Sequence, residues 1–169
     1  SALMAALAVG SGQYGGAQEV SICMRLWQEC GHNLELWKIR LFRPEEDERA
    51  DIWLPMEHAP GFDPNGDDTP TPILQALDYL TSLAPSNGAL VWLKQQRSAL
   101  EEEVGYPLAI SGVAAAALVD LGLNQDQGNM LYLMLRLPGA AIHSLEQKKR
   151  GWKQFPFYGS AIELADDTS

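Results

Sequence analysis

Three histidines, two cysteines and a scatter of carboxylates are the groups in this 169-residue chain best suited to move protons or bind ions. His58 has the most suggestive setting, the segment PMEHAPGFDPNGDDTP at 55–70, where Glu57 and Asp63 stand close by. A histidine beside carboxylates can serve as a general acid or base near neutral pH, whereas a histidine in a Pro- and Gly-rich loop is as readily a solvated surface group. A second candidate is GSGQYGGAQEV at 10–20, with a lone Tyr14 ahead of Gly15 and Gly16. Glycine admits positive φ and close backbone approach, so this is either a helix-to-helix corner packed by Tyr14 or a loop wrapped on a ligand. A third is the cationic cluster of Lys148, Lys149, Arg150 and Lys153, which either complements a helix dipole or holds a phosphate or carboxylate. Cys23 and Cys30 lie two turns apart on one expected helix, too far to bridge. With His32 they make no zinc spacing, so both read as buried thiols in a reducing compartment and no metal site is expected.

The elements that must position these groups read as helices throughout. Ala17, Val20, Cys23, Met24 and Trp27 recur at helical spacing from Gly15 to Cys30, and Gly31 is a natural stop. NLELWKIRLFR, from Asn33, is amphipathic and fits helix or strand, and Pro44 with Glu45, Glu46 and Asp47 looks like the first turn of another helix. Residues 51–72 form a long loop of the functional type, holding Trp53, Met56 and Phe62. Further helices are expected over 71–84, 87–103, about 107–122 and 125–136, the last capped by Asn124. Pro138 and Gly139 then punctuate before a helix from Ala140 to about Arg150. No sustained two-residue alternation is present, so the fold class is all-α, a single region over 1–169. Leu3, Met4, Leu7 and Ala8 make an apolar helical face with nothing upstream to pack on it, as expected of the later part of a longer protein.

Composition narrows the partners. Hydrophobic residues make up 46% and charged residues 20%, ordinary for a folded domain. A net charge of −10 argues against nucleic acid and anionic membrane surfaces, and no apolar run is long enough to span a bilayer. A cytoplasmic location is expected.

The stretch ISGVAAAALVDLGLNQDQGNMLYLMLRLPGAAIHSLEQKK carries a resemblance. Arg136, Pro138, Gly139, His143, Glu146 and Gln147 match the R-x-P-G-x-x-x-H-x-x-E-Q pattern of the citrate synthase superfamily. GQYGGAQ resembles that family's G-x-x-H-G-G-A, with Tyr14 in place of the histidine, as in its citryl-CoA lyase branch. In order and spacing the likeness runs from about Ser1 to Tyr158. It implies an all-α citrate synthase-like fold of orthogonally packed helices, including the small domain and lacking upstream large-domain helices. It also implies Claisen-type carbon–carbon bond formation or cleavage on an acyl-CoA thioester, with no bound cofactor, in a homodimer whose sites draw on both subunits.

By the same resemblance His58 corresponds to the family's loop histidine, allowing two extra residues; matching PGF instead leaves none. The resemblance makes His58, Ser111 and Tyr14 the candidate catalytic residues, and Gly15, Gly16, Arg136, Lys148, Lys149 and Arg150 the candidate substrate and CoA contacts. His143 reads as a packing or pocket-lining histidine. Two departures stand out. The family's general base, the aspartate of N-V-D-G, falls on Ser111, whose hydroxyl does not titrate near neutral pH. Its closing Arg-Pro is Phe155-Pro156 here. Either the chain retains the fold as a non-catalytic thioester-binding or helical dimerisation module, or a carboxylate such as Glu57 or Asp63 took over, or Ser111 now only donates a hydrogen bond.

Overall fold

The computed structural model describes residues 7, 8, 10–12, 15–41 and 58–150, apart from the side chains of 147, 149 and 150. Among these are α1 (Ala17–Cys30), α2 (Leu34–Leu41), α3 (Thr71–Leu83), α4 (Ala89–Val104), α5 (Ile110–Asp120) and α6 (Gln125–Arg150), and no strand. The ambiguous NLELWKIRLFR segment resolves as helix α2. The expected helix start at Pro44 lies outside the described residues, as do 51–57 of the long loop. No helix among the described residues is long and apolar enough to cross a membrane.

α1 lies at the centre, packed chiefly on α5 and α6. Its buried face is Ala17, Glu19, Val20, Cys23, Met24, Leu26, Trp27 and Cys30, and Gly31 closes it, at φ +49, with its N–H on the Trp27 carbonyl at 2.9 Å. α5 is alanine-rich because it is enclosed: Ser111, Gly112, Val113, Ala115, Ala116 and Leu118 are all buried. Main chain meets main chain where it starts, since a Cβ on Gly112 would fall 2.7 Å from the Gly61 carbonyl oxygen. The loop before α3 is pinned there by an isolated bridge between Phe62 and Leu108 and by the Ala109 N–H on the Gly61 carbonyl, 2.9 Å. At its other end α5 supplies Asp120, whose carboxylate accepts the N–H groups of Ala89 (2.5 Å) and Leu90 (3.0 Å) and so caps α4.

Asn124 opens α6 as expected. Its side chain accepts the Gln127 N–H at 2.9 Å while the Gln127 side chain accepts the Asn124 N–H at 3.0 Å, a reciprocal cap. The expected break at Pro138 and Gly139 does not occur, and α6 runs through both. Proline removes one helical donor, but Met134, four residues back, is exposed, so the freed carbonyl can bond water instead.

Around Trp27 sits an aromatic cluster. Its ring centroid is 4.8 Å from Trp37 and 5.4 Å from Trp92, both edge-on, and His32 stacks on Trp92 at 6.0 Å. The indole N–H groups are satisfied by the Gly31 carbonyl (Trp37, 2.9 Å) and the His32 carbonyl (Trp92, 3.0 Å). Cys23 and Cys30 are free and buried, as the spacing predicts. Burial pushes both thiols up, Cys23 most, with the Glu19 carboxylate adding to the shift at Cys23.

Candidate functional site

Glu19 is the residue around which the candidate site is built. It stands in the first turn of α1, where an acidic residue ordinarily complements the helix dipole from the surface, yet it is only 1% exposed. Burying a carboxylate is costly unless its lone pairs are engaged, and here they are. Oε1 accepts the Gly61 N–H at 2.8 Å and the Ser111 hydroxyl at 2.7 Å, and Oε2 accepts the Gly15 N–H. The His58 Nε2 lies 4.0 Å from Oε1, beyond hydrogen-bond range but close enough for a charge interaction when the ring is protonated. Two helix N-termini converge on the carboxylate, its own and that of α5, where Ser111 is the second residue.

The glycine corner before α1 is tight for steric reasons. Gly15 has φ +65, and a Cβ on Gly16 would fall 2.2 Å from the Gly12 carbonyl oxygen. The Gly15 carbonyl accepts the Tyr132 hydroxyl of α6 at 3.3 Å. Burial pushes the Tyr132 phenol up, opposed by the Arg136 guanidinium one turn further along.

The residues singled out from the sequence therefore separate into groups. Gly15, His58 and Ser111 come together around Glu19, and Gly16 adjoins them at the corner. His58 is buried, not the solvated loop residue its composition allows. Arg136 is exposed, beside Tyr132. Lys148 is exposed roughly 24 Å further along α6 than Tyr132, at 1.5 Å per residue. Lys149 and Arg150 end the same helix, their side chains outside the description, and Tyr14 lies outside the described residues. His143, read as a packing or lining histidine, is instead exposed and pairs with Glu146 at 3.2 Å.

Of the carboxylates proposed to stand in for the missing base, Glu57 lies outside the described residues. Asp63 is used locally: it accepts the Asn65 N–H at 3.0 Å, stabilising a turn. Glu19 is the carboxylate the sequence reading missed. The signal available was its place one helical turn before Cys23, on the apolar face of α1.

No group of three or more His, Cys, Asp or Glu among the described residues could hold a metal ion. No protein-family model, curated protein or solved structure matches the chain.

Proposed function

We propose that the chain is a citrate synthase-like domain, nearest the citryl-CoA lyase branch, that binds an acyl-CoA thioester where the glycine corner, the His58 segment and the start of α5 meet. Claisen-type carbon–carbon bond formation or cleavage is the reaction assigned to that site. The observation that carries this reading is the hydrogen bonding of Glu19 to Gly61 and Ser111, residues 42 and 92 positions away in the chain. Those lie in two of the four segments picked out by the resemblance, and Gly15 adds a third; the fourth, 136–147, belongs to α6.

In this reading His58 donates to the thioester carbonyl oxygen, where charge develops as the enolate forms. Ser111 and the Tyr14 hydroxyl complete the polar lining, while Gly15 and Gly16 let the backbone approach the ligand. Arg136 pairs with a substrate carboxylate, and Lys148, Lys149 and Arg150 supply positive charge for the CoA phosphates in a chain that otherwise repels anions. No bound cofactor is required. A homodimer in the cytoplasm belongs to the same proposal, and the exposed Met130, Met134, Leu135, Ile142 and Leu145 along α6 favour a second copy as its cover.

The burial of both Glu19 and Ser111 favours a second reading, a thioester-binding module without turnover. Calorimetric titration with CoA, acetyl-CoA and citrate, followed by product analysis, separates the two. Acetyl-CoA binding with formation or cleavage of a carbon–carbon bond is the expected outcome. Binding without product supports the module, and no binding of any thioester removes both readings.

A further inference from the structure

Only the first half of α6 is fastened to the rest of the fold. There it packs on α1, so closely that a Cβ on Gly128 would collide with the Met24 side chain, and Tyr132 is buried. From Met134 to Glu146 every residue is exposed except Leu137 and Ala140, which are half-buried. We infer that this second half is the seam of a two-fold dimer, in which α6 of one copy lies antiparallel to α6 of another and crosses it near Pro138. The pairing deepens the homodimer of the reading above and rests on it, while the thioester site stands or falls separately.

The exposed apolar side chains are not scattered. At 3.6 residues per turn Met130, Met134, Leu135, Ala141, Ile142 and Leu145 fall within one arc of roughly 140°, while Arg136 and His143 fall on the opposite side. A helical stretch that contains a proline and packs on nothing is unfavourable in water, so this half needs a cover to hold its form. Met130, Met134, Leu135, Ile142 and Leu145 are each more than half exposed, and together they offer roughly 500 Å² of apolar surface per copy. That is about the apolar share of the ~800 Å² that each partner contributes to a stable interface.

Charge selects both the partner and its direction. The chain carries −10 overall, so two copies repel except where cations gather. They gather on α6, which holds Arg136 and closes on the run Lys148 to Arg150, with Asp126 in its first turn. Antiparallel pairing about Pro138 lays the acidic end of one α6 along the cationic end of the other and sets the two helix dipoles head to tail. Parallel pairing would oppose like charges instead. In the antiparallel register Met134 meets Ile142 of the partner subunit, and the short side chains of Pro138 and Ala141 lie at the crossing, where paired helices come closest. Tyr132, whose hydroxyl reaches the Gly15 carbonyl, stands about 9 Å from that crossing at 1.5 Å per residue, so each candidate site is anchored on the helix that forms the seam.

Sedimentation equilibrium of the full chain over a concentration series tests the pairing, with acetyl-CoA affinity measured by calorimetry on the same samples. Wild type is expected to dimerise. Met134→Glu combined with Ile142→Glu, both at exposed positions, is expected to weaken dimerisation by about 100-fold or more with helical content kept. Tyr79→Glu, at an exposed position on α3, is expected to leave the dimer unchanged. Direction is read by mixing a Met134→Cys variant with an Ile142→Cys variant under oxidation, where a disulfide between the two is expected and none between two copies of either. If the glutamate pair fails to fold, the disulfide decides. A monomeric wild type, its stripe covered by another segment of the chain or by a different protein, overturns the pairing and the homodimer with it. A dimer that survives the glutamates, or a disulfide between two Met134→Cys copies, overturns the pairing and leaves the homodimer. Acetyl-CoA binding by a monomer leaves the thioester site standing, whereas a wild-type dimer that binds no thioester removes that site and supports the pairing.

Discussion

At its first turn α1 is fixed by directional bonds to the Glu19 carboxylate, whereas eight residues later it is fixed by the edge-on packing of Trp27 between Trp37 and Trp92. The aromatic end is satisfied by shape and area, and rings that repack can recover part of a loss. The polar end has no such latitude. Its donors come from three separate segments, and any displaced partner leaves a buried group unpaired. One helix thus carries a region selected for stability and a region whose exact arrangement matters more than its total energy, which is where chemistry is best sought.

Truncation should separate the two ends. Trp27→Ala, which empties the middle of the aromatic cluster, is expected to cost about 3–5 kcal/mol in urea denaturation. Wild-type stability in that variant would show that the cluster does not anchor α1. Glu19→Ala removes the acceptor for two backbone N–H groups and one hydroxyl and is expected to cost about 3 kcal/mol. Hydrogen exchange should then accelerate at Gly15 and Gly61 but hardly at Trp37 of α2, and equal acceleration at all three would erase the distinction between the two ends of α1. Tyr132→Phe deletes only the hydroxyl that reaches the Gly15 carbonyl, and about 1 kcal/mol or less is expected. Its effect on exchange should be confined to the glycine corner.

Much of the fold was legible because it rests on local patterns. The apolar spacing of α1, its Gly31 stop and the Asn124 cap are decided within a few residues, and the structure follows them. Pro138 misled because its cost depends on whether the orphaned carbonyl is exposed, which is a tertiary fact. In the candidate site, the glycine corner, His58 and Ser111 could be singled out individually. Glu19 was passed over although its place one turn before Cys23 put it on the apolar face, because a glutamate in a first helical turn is ordinarily a surface residue, and only the meeting of α1 with Gly61 and Ser111 makes it central. His143 failed in the opposite way: apolar neighbours in sequence did not become neighbours in space.

The contact between Gly61 and Gly112 has a consequence for how such a molecule can change over generations. With no side chain on either partner there is nothing to re-orient when one segment shifts, so a substitution at one site has no compensating substitution at the other. Variants that alter the loop length before Gly61 are tolerated only if the two backbones still meet, which ties the spacing between His58 and Ser111 to a fixed point while the surrounding surface is free to drift.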